Sequence, residues 1–555
     1  MDNSIAKAIL LSYEEIEVDE ANSNDIVIIF KMCDRRFALW CPDRDDITSS
    51  VIVWVLDDAS FDQPHIMLRE IYFDGMSVLP AGKYRSICLY ENGSVVNAVM
   101  SYEEKIIDAV ERLIELMSLP PLAKEKEFQK EFLFYWNSVA EYGDREIYLG
   151  RDQSFSILSV YQNEKRLRYV ASDVCLNDFD IVDDGGRKWQ QRIDINAVFI
   201  PITDNRGILP PTKNHPWGKD EIIELLYGEK ISHISDDAFR SLTSVSIKYD
   251  TLDIVFTMSI SSTWYTFVAR VRFKGGNHKP LLDRVLNNIS SVQALTCKRM
   301  DYGYLNQIIG NSTSNLEKHV LLIGAGSLGS YVASELVKNG FKYLTIFDGD
   351  LLTQENFMRW CYSGMIRNGK KASLLKLFIE MMHPEIHIVA HDENIESEKL
   401  IEEMNNADYI IFTIGSSDTQ LKLNRILKKN GCKATVFFVW LEAGGQHSHI
   451  LKVDYEAKGC FECLFTGTSG TKVNNKANVI DEEIIESSTI HNGCGGTRAA
   501  YGTSVLLRTT SVLLDVMNKE ETDEHKNSFL VNISPEAVVY DESAFIEEDC
   551  LCCGI

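Results

Sequence analysis

The sequence predicts a multidomain α/β protein. Its 555 residues are enough for about three domains of ordinary size. Near the N-terminus, several short apolar strands precede one amphipathic helix. From about residue 291 onward strands alternate with helices, which is typical of a mostly parallel sheet covered on both faces. We therefore expect an N-terminal α+β domain at 1–122, a strand-rich linking domain at 123–295, and a C-terminal doubly wound α/β domain at 296–555.

The composition excludes some classes of partner. There are 56 Lys and Arg residues against 81 Asp and Glu residues, a formal charge of −25. Phosphate backbones need clustered cations, so nucleic acid is not expected as a direct partner. We find no apolar run of membrane-spanning length and no export signal, so we expect a cytoplasmic protein. Its thirteen cysteines should then be reduced, and clustered ones should bind metal or take part in catalysis.

The first domain is predicted from short apolar runs followed by a helix. The helix at Tyr102–Met117 has apolar residues at helical spacing, and Pro120 and Pro121 end it. The expected strands are Ile26–Phe30, Val51–Leu56, Ile66–Ile71 and Ser86–Tyr90.

The linking domain is expected to begin with a charged helical passage at Glu125–Tyr142. Strands are expected at Ser244–Tyr249, Asp253–Ser259 and Trp264–Phe273. It contains no constellation of reactive residues, so we interpret it as a scaffold.

The C-terminal domain opens with a nucleotide-binding pattern. An apolar strand at Val320–Ile323 runs into the loop Gly324-Ala325-Gly326-Ser327-Leu328-Gly329, a helix follows, and a second strand at Tyr343–Phe347 ends at Asp348. Such glycines allow a tight turn and a close approach to a phosphate at the helix N-terminus, and the acid can hold a ribose hydroxyl. The sequence therefore predicts a Rossmann-like nucleotide site.

Two ligands compete for this loop: the dinucleotide of a dehydrogenase and the ATP of an adenylating enzyme. ATP needs cations for its triphosphate and a carboxylate for magnesium. Further strands are expected at Ile386–Ala390 and Tyr409–Ile414, which place Asp418 in a loop at the carboxyl edge of the sheet. These features favour ATP and rank a dehydrogenase last.

The ordered pattern GxGxLG…DxD…N..R…GK.A…D resembles the ThiF/MoeB/ubiquitin-activating adenylyltransferases over roughly residues 315–555. The chain departs from the family at Trp360, where a glutamine commonly follows the arginine. The resemblance implies that Gly324, Gly326 and Gly329 form a phosphate loop, that Asp348 binds the ribose and that Asp350 lies beside the nucleotide. It also implies that Asn356, Arg359 and Lys371 contact the phosphates and that Asp418 is a magnesium ligand.

Two CxxC pairs predict a zinc site. Cys460 and Cys463 form the first pair, and Cys550 and Cys553 form the second. Four thiolates can hold structural zinc in a tetrahedron. Unliganded thiols are the alternative, and Cys552 could replace a neighbour as ligand. Proteins similar to ThiF and MoeB carry such a structural zinc, with one pair near each of these places.

Cys494 is the candidate thioester nucleophile. It lies in a glycine-rich turn before an apolar helix, where the helix dipole and Arg498 would favour the thiolate. Taken by itself, a lone cysteine is more often structural. Bacterial ubiquitin-activating-like proteins carry a thioester cysteine in a similar GCGG…YG context, and this resemblance favours the nucleophile.

Cys88 is the candidate acceptor of the acyl group. Its "ICL" context, with strands before it and a long helix after it, resembles the active-site region of ubiquitin-conjugating domains. The usual His-Pro-Asn is absent, so Asn92 or Asn97 would have to stabilise the oxyanion. A buried strand cysteine is the alternative. We expect the other cysteines in the core, namely Cys33, Cys41, Cys175, Cys297, Cys361 and Cys432.

Together these resemblances imply a fused activating and conjugating enzyme, similar to the bacterial fusion found beside cGAS-like nucleotidyltransferases in anti-phage (CBASS) operons. Its cofactors would be ATP, Mg²⁺ and Zn²⁺. It would be a homodimer that joins the C-terminus of a partner, either the nucleotidyltransferase or a ubiquitin-like protein, to lysines of target proteins. The alternatives are MoeB-like activation of a sulfur-carrier protein and a non-catalytic nucleotide-sensing scaffold.

Overall fold

A computed structural model describes most of the chain. The described residues are 4–20, 27–42, 44–46, 48–56, 68–73, 82–87, 89, 97–150, 154–177, 189–212, 215–228, 230–276, 279–362, 368–466, 476, 478, 489–491, 497–519, 527–541 and 544–554. The chain divides into two compact units. The first joins Met1–Ser172 to Gln190–Arg299, and the second joins Asp173–Trp189 to Met300–Ile555. The division into domains at 1–122, 123–295 and 296–555 stays a prediction.

The first unit begins with a six-stranded antiparallel sheet in the order β1-β2-β3-β4-β6-β5. Cys33 and Asp34 connect β2 to β3 with φ angles of 50° and 58°. Positive φ at both central residues is typical of a tight type I′ hairpin turn, which leaves the Cys33 side chain exposed. The prediction that Cys33 is a core residue is therefore wrong. The elements here are α1 (Ser4–Leu10), β1 (Glu17–Val18), β2 (Val27–Met32), β3 (Arg35–Trp40), β4 (Ile52–Val55), β5 (Leu68–Phe73), β6 (Gly82–Ile87) and α2 (Tyr102–Ser118).

Helix α2 confirms the predicted amphipathic helix. Ser101 caps it: its hydroxyl accepts from the backbone N–H of Glu104 at 3.2 Å, and the Glu104 carboxylate accepts from the Ser101 N–H at 2.7 Å. This reciprocal pair satisfies two N–H groups that the first helical turn leaves without partners. The buried face of α2, with Ile106, Val110 and Leu113, packs in the core of the sheet.

The rest of the first unit is a nine-stranded mixed sheet with helices. Its order is β14-β13-β12-β11-β8-β9-β7-β15, with β10 paired to β8. The expected passage at Glu125–Tyr142 forms two short helices, α3 and α4. The strand expected at Ser244–Tyr249 is wrong, because Ser244 ends helix α6. The elements are α3 (Pro121–Lys130), α4 (Phe132–Val139), β7 (Arg145–Tyr148), β8 (Ser156–Asn163), β9 (Arg166–Ala171), β10 (Gln190–Arg192), β11 (Asn196–Pro201), α5 (Lys219–Tyr227), α6 (Asp236–Ser244), β12 (Thr251–Ile260), β13 (Thr263–Phe273), α7 (Leu281–Asn288), β14 (Ile289–Leu295) and β15 (Lys298–Arg299).

The second unit is built on an eight-stranded sheet in the order β18-β17-β16-β19-β20-β21-β24-β25. The first five strands are parallel and the last three antiparallel. The elements are α8 (Tyr302–Ile308), β16 (His319–Ile323), α9 (Ser327–Lys338), β17 (Tyr343–Phe347), α10 (Lys371–Met382), β18 (His387–His391), α11 (Ser397–Glu403), β19 (Tyr409–Phe412), α12 (Ser417–Lys429), β20 (Thr435–Leu441), β21 (Ser448–Val453), β22 (Thr489–His491), β23 (Thr497–Ala499), α13 (Thr503–Asn518), β24 (Phe529–Ile533) and β25 (Val538–Asp541).

Both faces of this sheet are covered, which confirms the doubly wound prediction for the C-terminal part. Val320 and Leu322 of β16 pack with helices α9, α10 and α13. Leu321 and Ile323 pack on the opposite face with α11 and α12. Successive strand residues point to opposite faces, so a strand buried on both sides is apolar throughout.

Asn177 anchors residues 173–177 within the second unit. Its amide nitrogen donates to the carbonyl oxygens of Glu380, His383 and Ile386 at 2.9 to 3.3 Å, and its backbone N–H donates to Pro384 at 2.7 Å. The sequence did not indicate this attachment. Among the helices of the described residues, none is both long enough and apolar enough to span a membrane.

Candidate nucleotide site and cysteine cluster

The glycine loop lies at the point where the strand order of the parallel sheet reverses. β16 pairs with β17 on one side and with β19 on the other, and the loop begins directly after β16. In open α/β sheets, ligands bind outside the carboxyl ends of the strands at such a switch point. The topology therefore places Gly324–Gly329 where a nucleotide would bind.

The three glycines meet different steric demands. Gly324 has a φ of +104°, which disfavours any other residue. A Cβ on Gly329 would lie 1.9 Å from the carbonyl oxygen of Gly324, so helix α9 can pack against the loop only with glycine there. A Cβ on Gly326 would meet no atom within 4 Å. Gly326 therefore leaves open space at the N-terminus of α9, which fits the approach of a phosphate.

Asp348 braces the loop. One carboxylate oxygen accepts from the backbone N–H of Ala325 at 2.7 Å, and the other accepts from the N–H of Asp350 at 2.9 Å. Burial raises the pKa of Asp348, although the Lys371 ammonium and these two N–H donors act in the opposite direction. The ribose contact expected of Asp348 stays a prediction.

Four of the expected residues line one cavity of about 530 Å³, namely Asp350, Asn356, Arg359 and Lys371. The ammonium of Lys371 lies 2.8 Å from the Asp350 carboxylate. The Lys371 side chain is 9% exposed and that of Asp350 is 72% exposed, so the carboxylate faces solvent while the cation is buried. The structure thus brings together cationic groups suited to phosphate and a carboxylate suited to a divalent cation.

Trp360, which departs from the family pattern, is bonded to the glycine loop. Its indole N–H donates to the carbonyl oxygen of Ala325 at 2.8 Å, and its side chain is buried. The next residue, Cys361, donates its backbone N–H to the Ser330 hydroxyl at 3.0 Å. The segment that carries Arg359 is therefore fixed directly to the glycine loop and to helix α9. The sequence flagged Trp360 only as an exception.

Asn356 organises the turn before Arg359. Its carbonyl oxygen accepts from the backbone N–H groups of Arg359 and Trp360 at 3.0 and 2.8 Å. Its side-chain oxygen accepts from the Thr353 hydroxyl at 3.2 Å. Thr353 and Glu355 also line the cavity, and sequence analysis did not single them out.

Asp418 lies in the first turn of helix α12, where Ser416 is the N-cap, and not in the preceding loop as expected. Its side chain is exposed. It is not among the described residues that line the cavity of Asp350 and Lys371. Its expected role as a magnesium ligand remains a prediction.

Arg359 also contacts an aromatic ring that sequence analysis missed. Its guanidinium carbon lies 4.6 Å from the centre of the Tyr501 ring. Tyr501 follows strand β23 and partly packs into the core on one face of the sheet. The "YG" after the cysteine context was a weak signal for this residue.

The four predicted zinc ligands come together. The sulfur atoms of Cys460, Cys463, Cys550 and Cys553 all lie within 4.8 Å of one another. The Cys460–Cys550 and Cys463–Cys553 separations are 3.8 and 3.4 Å. Sulfurs at about 2.3 Å from a tetrahedral zinc are separated by about 3.8 Å, so the cluster fits that ion.

Cys552 lies outside this set of four. Its sulfur is 3.2 Å from the side-chain nitrogen of Asn424. Of the other cysteines, Cys41 and Cys432 are buried as expected, and burial raises the pKa of the Cys432 thiol to about 11. Cys297 and Cys361 are half-buried. Cys175 is exposed, so its assignment to the core is wrong.

Both candidate nucleophiles lie outside the described residues. Cys88 directly follows strand β6, and Cys494 lies between the antiparallel strands β22 and β23, where His491 pairs with Thr497. Strand β23 separates Cys494 from helix α13, which begins only at Thr503. The roles expected of Cys88 and Cys494 therefore stay predictions.

Residues 307–534 match the ThiF family, so the C-terminal part of the chain carries a ThiF family domain. Over 134 residues, the chain is 31% identical to the tRNA threonylcarbamoyladenosine dehydratase of Haemophilus influenzae, covering 23% of this chain and 49% of that protein. It is 26% identical to SUMO-activating enzyme subunit 2 of Dictyostelium discoideum, covering 29% of this chain and 24% of that protein.

The matched relatives are spanned for only part of their length, from 24% to 49%. Among solved structures, the chain is similar to Escherichia coli MccB with ATP, with 15% identity and a TM-score of 0.34. That similarity covers 44% of this chain and 69% of that one.

Proposed function

We propose that this protein activates the C-terminus of a partner protein with ATP and conjugates it to lysines of target proteins. The partner's carboxylate would attack the α-phosphorus of ATP, forming an acyl-adenylate and releasing pyrophosphate. The Cys494 thiolate would then displace AMP to give a thioester. The Cys88 thiolate would take the acyl group from Cys494, and a lysine amine would take it from Cys88 as an amide.

One observation carries the first step: Asp350, Asn356, Arg359 and Lys371 line a single cavity at the carboxyl edge of a sheet with a glycine loop. A dinucleotide site needs no such cations, whereas a triphosphate does. Lys371 and Arg359 would bind the phosphates and neutralise the charge that develops on departing pyrophosphate.

The metal ions would have separate roles. Mg²⁺, held by Asp418, would neutralise phosphate charge when bound with ATP. Zn²⁺, held by Cys460, Cys463, Cys550 and Cys553, would join the two chain segments that carry these ligands and take no part in the chemistry.

The identity of the partner is inferred from the family resemblance and from the charge of the chain. By its resemblance, the fusion would modify a cGAS-like nucleotidyltransferase, or a ubiquitin-like protein, in cytoplasmic anti-phage defence, and it would act as a homodimer. The −25 charge favours a partner whose contacting surface is basic.

ATP–pyrophosphate exchange that depends on a partner's C-terminal tail tests the adenylation step. Non-reducing gels with ATP and partner test the thioesters. Cys494→Ala should remove both thioesters, whereas Cys88→Ala should remove only the second. Cys432→Ala, a buried cysteine outside the proposed path, is the matched control. A Cys88→Ala protein that conjugates at the wild-type rate would exclude the conjugating role.

MoeB-like activation of a sulfur carrier is the second candidate, because the ThiF domain and the four-cysteine cluster fit it equally well. A thiocarboxylate product would support it, and an amide-linked adduct would support the conjugation. A non-catalytic scaffold would show no ATP–pyrophosphate exchange in the presence of any partner's C-terminal tail.

A further inference from the structure

Tyr501 connects the candidate nucleotide cavity to the chain segment that carries Cys494. Its ring centre lies 4.6 Å from the guanidinium carbon of Arg359, which lines the cavity. Tyr501 is also only two residues beyond the end of strand β23, whose partner strand β22 precedes Cys494. One side-chain contact therefore joins the cavity to the residue that follows strand β23.

A turn that contains Gly444 and Gly445 packs against the backbone of Tyr501. The N–H of Gly444 donates to the carbonyl oxygen of Ala500 at 3.0 Å. A Cβ on Gly445 would lie 2.9 Å from the Cβ of Tyr501, so the turn packs directly against it. Gly444 and Gly445 have φ angles of 80° and 67°, which other residues adopt only with strain.

The turn is itself fixed by buried polar contacts. Its first residue, Glu442, lies 2.5 Å from one ring nitrogen of His449, and Asn532 lies 2.7 Å from the other. All of these groups belong to strands of the central sheet or to the turn after β20. Tyr501 thus rests on rigid parts of the fold and not on a loose loop.

We propose that Tyr501 is a positioning residue that holds the Arg359 guanidinium over the cavity and couples nucleotide binding to the paired strands β22 and β23. Stacking on an aromatic ring uses the flat face of a guanidinium, whereas phosphate is bound by its N–H edge. Tyr501 can therefore orient Arg359 without competing for the triphosphate. The inference rests on the proposed function, because it assigns Arg359 to the phosphates of ATP.

The coupling works in both directions. If the position of strands β22 and β23 changes the affinity for ATP, then bound ATP must shift the equilibrium between their positions by the same coupling free energy. Filling the cavity with ATP would therefore favour one position of strands β22 and β23, which flank Cys494 in the chain.

Titration calorimetry of the full chain with Mg·ATP and with AMP tests the positioning role. Tyr501→Leu should weaken ATP binding by about 3- to 30-fold, as expected for a cation–π contact between two half-buried groups, and leave AMP binding within about two-fold. Tyr501→Phe keeps the ring and should restore ATP binding to within about two-fold of wild type. A purely structural defect would instead weaken both nucleotides and would not be rescued.

A double-mutant cycle tests whether Tyr501 acts through Arg359. In an Arg359→Ala background, Tyr501→Leu should cause no further loss of ATP affinity. Additive losses would overturn the inference.

Gly445→Ala places a methyl group against Tyr501 without changing Tyr501 or Arg359. It is the alternative test if Tyr501→Leu fails to fold. Gly431→Ala is its matched control, because Gly431 has a similar φ of 66° but a Cβ there would meet no atom within 4 Å. Gly445→Ala should lower ATP affinity selectively, whereas Gly431→Ala should not. Equal effects of the two variants would contradict the positioning role.

Hydrogen exchange of peptides covering 489–501 tests the coupling. Mg·ATP should slow their exchange in the wild type and in Tyr501→Phe but not in Tyr501→Leu. If the wild type binds ATP no tighter than AMP, the proposed nucleotide site fails. If the wild type prefers ATP while Tyr501→Leu keeps both the preference and the ATP-dependent exchange, only the present inference fails.

Discussion

The indole N–H of Trp360 donates to the carbonyl oxygen of Ala325 inside the glycine loop, at a distance of 2.8 Å. The residue after the proposed phosphate-binding arginine therefore fastens that arginine to the phosphate loop. The contact gives a structural role to the tryptophan that departs from the family pattern.

Trp360→Phe should destabilise the C-terminal unit by about 1–3 kcal/mol and weaken ATP binding, because the buried Ala325 carbonyl loses its donor. Chemical denaturation and calorimetry with Mg·ATP measure the two effects. Trp440→Phe is the matched control, because the Trp440 indole N–H has no hydrogen-bond partner among the described residues. Equal losses in the two variants would show that ring volume, and not the hydrogen bond, matters at Trp360.

Lys371→Met should weaken ATP binding by about 10- to 100-fold while barely changing the affinity for adenosine. The reason is that a charge-assisted hydrogen bond to phosphate contributes about 1.5–3 kcal/mol. Lys399→Met removes a lysine whose ion pairs lie on an exposed helix surface, and it should leave both affinities unchanged. A Lys371→Met protein with wild-type ATP affinity would remove Lys371 from the nucleotide site.

The chain should bind one zinc ion, and chelation should lower its melting temperature. Cys460→Ser should lose the ion, because three thiolates and a hydroxyl hold zinc much less tightly. Cys552→Ala should keep it, because that sulfur contacts Asn424 and stands outside the four-sulfur set. Metal analysis of the purified variants decides whether Cys460 or Cys552 is a zinc ligand. Zinc loss in Cys552→Ala would contradict the assignment of the other four cysteines as ligands.

Asn177→Ala should destabilise the C-terminal unit by about 1–3 kcal/mol, because the Glu380 and Ile386 carbonyls lose a buried donor. The segment around Asn177 should also become more sensitive to protease. Asn430→Ala removes a single exposed hydrogen bond, and we expect it to change stability by less than about 1 kcal/mol. If both variants unfold at the same denaturant concentration, Asn177 does not anchor its segment.

Much of the candidate site could be predicted from local sequence. The apolar strand, the glycine loop and Asp348 follow one another within a single β-α-β unit, so their spacing determines their arrangement. The helix predicted at Tyr102–Met117 is found at Tyr102–Ser118 for the same reason, since its periodicity and the prolines that end it are local features. The cysteine cluster could also be predicted, because each CxxC pair is local even though the pairs are far apart.

Contacts between distant segments could not be predicted. Neither the stacking of Tyr501 on Arg359 nor the three carbonyls around Asn177 has any fixed spacing in the chain. The sequence also misplaced Cys33, because its exposure depends on a hairpin turn with two positive φ angles.

By itself, the sequence determined a doubly wound fold, its glycine loop and its four paired cysteines, because local spacing and periodicity encode each of them. Only the tertiary structure decided that Asp350, Asn356, Arg359 and Lys371 share one cavity, that Trp360 bonds to the glycine loop and that Tyr501 contacts the arginine. The physical reason is that burial and side-chain orientation depend on which strands lie side by side. Long-range packing fixes that order, and no short stretch of sequence records it.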